Sequence, residues 1–432
     1  MRRKKSVLPT WILGLCALLA GCGSSTKQQN QNPPTGLKKR VLVSNQQRGV
    51  INIIDAQKDV FSQKTIGASA PTRMVTAGGQ TAILDSTVAQ VTIFDNTKEA
   101  VTFAPLIADI PSDIVITSDG KTVWVAERNN GFVQSIDTAS GVVTTSVPVP
   151  SVERLVLSPN GSKLLCFSAN PQGLPGPPNT NPDVFKDAFF VIDTATANTT
   201  HQATPIRLST GSVPSGDQPF SAVFSSSETQ AFILNCGSGC GGANNGTPTS
   251  PSVMSVDFTN PSAPVLGPKT SLPAATAGIL LNGNLYIVGT PAGSATGTLQ
   301  VVNASGLVLA GPPVAITDGL HTRLVSASNN RLFIAALNCT PGPVQPNNTL
   351  TGCLTIANVT NPTAPSVVVP FEPSFRQNFD VTGIQPISNR NIVYVVQGGE
   401  LDFFDTTTDA ISTSITPLDI VGLAVDAVQI DP

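Results

Sequence analysis

Histidine, tryptophan and methionine are scarce in this chain, and so is charge. The only two histidines, His201 and His321, lie far in sequence from the seven cysteines, which argues against a Cys/His zinc site. Charged residues make up 12% of the chain, about half the usual share. No basic run occurs beyond Lys38-Lys39-Arg40, so nucleic acid is not an expected partner. No long 3.6-residue apolar period appears after the first 25 residues, so little helix is expected. A G-x-S-x-G nucleophile elbow is missing. Gly237, Gly239 and Gly242 match G-x-G-x-x-G, but Asn, Pro and Ser follow them instead of a helix, so a dinucleotide site is not expected. No catalytic pair, metal or cofactor is expected from these residues.

A repeated phrase is present: an alternating apolar strand that ends in Asp or Asn, followed by a polar turn. It ends at Asp55, Asp95, Asp137, Asp193, Asp257, Asn303, Asn358 and Asp405, with spacings of 40 to 64 residues. All-strand repeats of this length point to a β-propeller. In the third copy, four short strands are expected near 114–117, 122–126, 132–137 and 142–147. Asp119-Gly120, Asn160-Gly161 and Asn282-Gly283 fall at equivalent hairpin positions.

This copy and its neighbour read TSDGKTVWVAERNNGFVQSIDTASGVV and LSPNGSKLLCFSA…FFVIDTATANT. They resemble the YVTN-type β-propeller repeat, whose consensus is close to SPDGKxxYVTN…VSVIDTATxxV. The resemblance covers residues 112–200 and fades elsewhere. It implies the fold and says little about activity, because propellers host unrelated functions. Trp11 and Trp124 are the only tryptophans, which excludes the paired-tryptophan blade docking of quinoprotein propellers. The expected fold is therefore an all-β propeller of four-stranded antiparallel blades. Eight blades are favoured, with seven as the alternative if the sixth or seventh repeat is only a decorated hairpin. The first repeat, from Val41, lacks an inner strand, and the unassigned tail 421–430 is expected to supply it and close the ring.

Residues 1–22 carry a basic start (Arg2, Arg3, Lys4, Lys5), an apolar run from Trp11 to Ala20, and the end Leu19-Ala20-Gly21-Cys22. This resembles a bacterial lipoprotein signal and implies acylation, with palmitate among the chains, at Cys22. More than one acyl chain gives stable anchoring, so the membrane is an expected partner through the N-terminal lipid. Gly23, where an Asp would signal inner-membrane retention in some bacteria, favours the outer membrane, facing the periplasm or the surface. Residues 23–40 read as a flexible tether and 41–432 as a single propeller domain. Cleavage would leave twenty basic residues against 27 acids, a net charge of −7.

Cys236 and Cys240 share one loop, and Cys339 and Cys353 bracket another; an envelope location permits a disulfide in each. Cys166, in an apolar strand, reads as a buried thiol.

Strand parity in a four-stranded meander places the loops between the second and third strands on one face, together with the links leading to each inner strand. The long insertions 169–187, 236–251 and 338–352 are all of this kind, so they crowd one face. The candidate binding face comprises Arg73, Asp113, Glu153, Arg154, Asp217, Gln218, His321, Arg323, Arg376, Asn378 and Asp380, expected to ring the channel mouth. The reading is a lipid-anchored envelope propeller that acts as a binding or scaffold module for a protein, peptide or glycan. The alternative is a lactonase or other hydrolase with an acidic site at the mouth, built from Asp113, Glu153, Asp217 and Asp380.

Overall fold

The computed structural model describes residues 33–431, apart from 86, 169–186, 209–216, 241–242, 245–246, 261–262, 340–350 and 371–379. Arg376, Asn378 and Cys22 lie outside the described residues. The chain forms eight antiparallel blades arranged as a propeller. Seven are consecutive meanders whose inner strands are Pro71–Ala77, Asp113–Ile116, Arg154–Leu157, Pro219–Phe224, Ala277–Leu281, Leu320–Ala327 and Val381–Pro386. Blade one is composite. Arg40–Asn45, Val50–Asp55 and Val60–Gly67 come from the start of the chain, and Ala424–Gln429 from its end supplies the inner strand. The sixth repeat is a complete blade, although its outer strand is split into Val308–Leu309 and Val314–Ile316.

The recurring Asp or Asn has a single local task. In all eight copies its side-chain Oδ1 accepts a hydrogen bond from a backbone N–H two or three residues later, at 2.7–3.0 Å. Each copy therefore folds its own turn from the third strand to the outer one, without help from the rest of the ring. Gly120 shows why the hairpin glycines are needed. Its φ is +72°, and a Cβ there would lie 2.5 Å from the Ala77 carbonyl oxygen of blade two.

Packing follows strand alternation. In Thr122–Glu127, Val123 and Val125 join the core toward blade two, while Trp124 and Ala126 join the core toward blade four. One apolar layer fills each gap between neighbouring blades, including the gap across the chain ends, where Val41 and Val43 meet Tyr394 and Phe403. Both faces of a blade are covered, which explains the nearly continuous apolar second strands. Polar contacts reinforce closure. Arg390 makes a fork of 2.6 and 2.7 Å to Asp59, and Arg40 bonds both Asp431, at 2.7 Å, and Glu99, at 2.8 Å. Folded contacts already begin inside the stretch read as tether: the Thr35 amide donates to Glu99 Oε2 at 2.7 Å.

Candidate functional site

Pairing register brings one position of each inner strand to the same level of the channel. In blade order these residues are Asp426, Arg73, Asp113, Arg154, Ser221, Ala277, Arg323 and Gly383. In five blades the ladder skips at or just before this level, as a bulge that re-aims the side chain requires. Acidic and basic residues alternate through the first four blades. Small residues fill the fifth, sixth and eighth.

The two acids act alike. Asp113 bonds its own Ile114 amide and the Leu155 amide of the next blade, both at 2.8 Å. Asp426 bonds its own Ala427 amide and the Met74 amide of the next blade, both at 2.9 Å. Each carboxylate thus ties neighbouring inner strands together and also holds an arginine: Arg73 pairs with Asp113, and Arg323 with Asp426. Bonds of this kind between a guanidinium and a carboxylate are charge-assisted and stronger than neutral ones.

Arg154 differs from these two arginines. Its guanidinium lies 3.9 Å from the centroid of the Phe220 ring, and among the described residues it has no carboxylate within salt-bridge distance. Phe220 is buried against the Cys236–Cys240 disulfide. The neighbouring Glu153 is paired instead with Arg128, at 3.0 Å. Burial pulls Arg154 down to about 10, partly offset by Glu153. Arg73 is also pulled down to about 10, first by the protein around it and then by the Arg323 charge. Its side chain is still 41% accessible, so this environment is a narrow wet channel and not a dry core. Burial raises Glu153 to about 7, outweighing Arg128 and Arg154.

These groups line a cavity of about 640 Å³ together with Ser221 and Thr322. A larger cavity, about 790 Å³, opens at the other end of the channel. Its two charged residues, Arg390 and Asp431, are already paired, with Asp59 and Arg40. The smaller cavity differs in holding Arg154, which has no carboxylate within salt-bridge distance among the described residues.

The structure brings Arg73, Asp113, Glu153, Arg154 and Arg323 together at the mouth. It places the other described candidates elsewhere. His321 is fully buried, and a Cβ at Gly297 of blade six would lie 2.8 Å from its ring. Asp217 is buried and pairs with Lys269 at 2.5 Å, while the Asp217 and Gln218 carbonyls accept the Gly237 and Cys236 amides. Asp380 accepts the Asn338 amide at 3.2 Å. Asp426, Arg128 and Phe220 were not among the sequence candidates. Asp426 was hidden because the closing strand has no repeat around it, although VDAV at 425–428 parallels SDIV at 112–115.

Both expected disulfides are present, with Cα separations of 5.7 Å for Cys236–Cys240 and 6.0 Å for Cys339–Cys353. Cys166 is a buried free thiol. Among the described residues, no group of three or more His, Cys, Asp or Glu gathers within metal-ligand reach.

No family model matches the chain, and no curated protein matches it. Solved structures do match. Dihydro-heme d1 dehydrogenase NirN is similar over 92% of this chain and 76% of its own, at 10% identity and TM-score 0.64. AztD from Citrobacter koseri is similar over 91% of this chain and 97% of its own, at 12% identity and TM-score 0.57. A protein from Desulfotomaculum acetoxidans is similar over 91% and 99%, at 13% identity and TM-score 0.50. At such identities the likeness speaks for the fold alone: this protein is a β-propeller.

Proposed function

We propose that the protein is a lipid-anchored module of the bacterial cell envelope, tethered through Cys22, which binds a protein, peptide or glycan partner on the face bearing its long loops. One observation carries this reading. The Cys236–Cys240 and Cys339–Cys353 disulfides lie where the second strands of blades five and seven, Gln230–Asn235 and Arg331–Cys339, end beside the starts of the inner strands, the same end of the ring as the charged channel mouth. A rigid ring with elaborated, cross-linked loops on one side is a common design for recognition.

The hydrolase reading is less well supported. Asp113 is held by Arg73 and two amides, Asp217 by Lys269, and Asp380 by an amide. These carboxylates are committed to the scaffold, and Glu153, the remaining acid, is paired with Arg128.

The test is photo-crosslinking in intact cells, with a reactive residue placed in each loop. Deleting 341–350, which leaves both flanking cysteines, should erase the adducts while the melting curve stays cooperative. An unchanged adduct pattern after this deletion and the matching one at 241–248 would overturn the reading. Cys22→Ser should move the protein from membranes to the soluble fraction.

A further inference from the structure

We infer that the channel mouth is a carboxylate-binding site, with Arg154 as the primary donor and Arg73 and Arg323 as its flanking cations. This rests on the reading of the loop-bearing face as the working face and names the chemistry recognised at its centre.

Charge sets the sign of the ligand. Four arginines (Arg73, Arg128, Arg154 and Arg323) meet three carboxylates (Asp113, Glu153 and Asp426) at the mouth. Among the described residues of the mouth the arginines thus outnumber the carboxylates by one, in a chain whose net charge is −3. The cations also act on one another: Arg323 and Arg154 both oppose the charge on Arg73. A cation would add to that repulsion, and the acids that might receive it already bond arginines or amides. An anion relieves it.

Geometry picks out Arg154. The Phe220 ring, 3.9 Å away, supports its guanidinium and the disulfide backs the ring. The planar fork is therefore held in place before any ligand arrives, and little order has to be gained on binding. Arg154 lines the cavity, so its donors are open to a ligand. A guanidinium in this state matches a carboxylate, whose two oxygens accept its parallel N–H groups. A cavity of about 640 Å³ has room for a small organic acid or for an acidic side chain presented by a partner.

Calorimetry on the full chain in detergent, at constant ionic strength, distinguishes these sources. The probes are succinate, as a free dicarboxylate, and tetraglutamate, as an acidic peptide. Saturable heat with succinate assigns a free organic acid. Saturation with tetraglutamate alone assigns an acidic segment of a partner. In either case Arg154→Gln should weaken binding by about tenfold or more, the loss of a charge-assisted hydrogen bond. If Arg154→Gln does not fold, Arg154→Lys and Phe220→Leu decide instead, since each should lower the affinity several-fold. No saturable heat with either probe at millimolar concentration, or equal affinity in the folded variants, would overturn the inference. The 341–350 deletion should leave probe binding unchanged while it removes partner adducts, so the site and the partner reading can fail separately.

Discussion

Arg323 of blade seven reaches past blade eight to pair with Asp426 on the closing strand of blade one, Nη1 to Oδ1 at 3.1 Å. Gly383 occupies the intervening position. A Cβ there would lie 3.1 Å from that same Asp426 oxygen and 3.0 Å from the Ala427 nitrogen. One carboxylate thereby joins blades seven, one and two, because it also accepts the Met74 amide. Asp426→Ala should cost roughly 2–4 kcal/mol, since two amides and a guanidinium lose their acceptor. Gly383→Ala should disturb the same contact through bulk alone. In denaturant titrations its effect should be non-additive with Arg323→Met. Additive costs would show that Gly383 has no part in the pair.

Acid should weaken the fold through His321. The side chain is fully buried, neither ring nitrogen makes a well-formed hydrogen bond, and burial lowers its pKa to about 4, opposed weakly by Thr317 and Asp318. The unfolded chain binds this proton near pH 6.5. Stability is therefore complete above about pH 6.5 and falls as the pH drops toward 4, by roughly 3 kcal/mol in all. His321→Asn should flatten that part of the stability–pH curve. A slope between pH 6.5 and 4 that is the same in the variant would place the acid sensitivity elsewhere.

The carboxylates titrate at lower pH, and Glu99 is the clearest case. Burial alone would raise it, but the Thr35 hydroxyl and amide together with Arg40 hold it below the ordinary glutamate value. Its contribution is present above the unfolded glutamate pKa and is lost as pH falls through the depressed folded one. Thr35→Ala, combined with a truncation up to Thr35, should shift the acid unfolding midpoint upward in a fluorescence titration.

Glu153 should make anion capture depend on pH near neutrality. Burial holds its carboxyl near 7, so acidification from pH 8 to 6 removes a negative charge from the mouth. Succinate or tetraglutamate should then bind several-fold more tightly at pH 6 than at pH 8. Glu153→Gln should bind tightly at both values. A variant that keeps the wild-type pH profile would remove Glu153 from this role.

The two disulfides should differ in worth. Cys339–Cys353 closes a separation of 14 residues and Cys236–Cys240 only 4. Chain entropy then makes loss of the longer bridge costlier by about 1 kcal/mol. Paired Cys→Ser variants compared by denaturant midpoint test the order. Losing the shorter bridge should also weaken succinate or tetraglutamate binding, because it backs Phe220 beneath Arg154.

The turn residues, the alternation and the eight copies could be read because each acts within a few residues of itself. Asp137 caps its own turn, and Val123 and Trp124 point to opposite faces by the two-residue period of a strand. The strands expected at 132–137 and near 122–126 appear at Phe132–Asp137 and Thr122–Glu127. The mouth was only half legible. Arg73, Asp113, Glu153, Arg154 and Arg323 stand at the start of inner strands, which repeat position reveals. His321 and Asp217 occupy similar places in the sequence but turn into packed walls, a choice made by Gly297 and Lys269 from other strands.

Local chemistry along the chain was thus enough to specify the repeating unit, its turns and its polarity, because backbone hydrogen bonding and side-chain alternation are short-range. The partner of each charge was decided only by the closed ring. Asp426 lies 103 residues beyond Arg323 in sequence, and it meets that arginine only because the last strand returns to the first blade while a glycine leaves the path between them open.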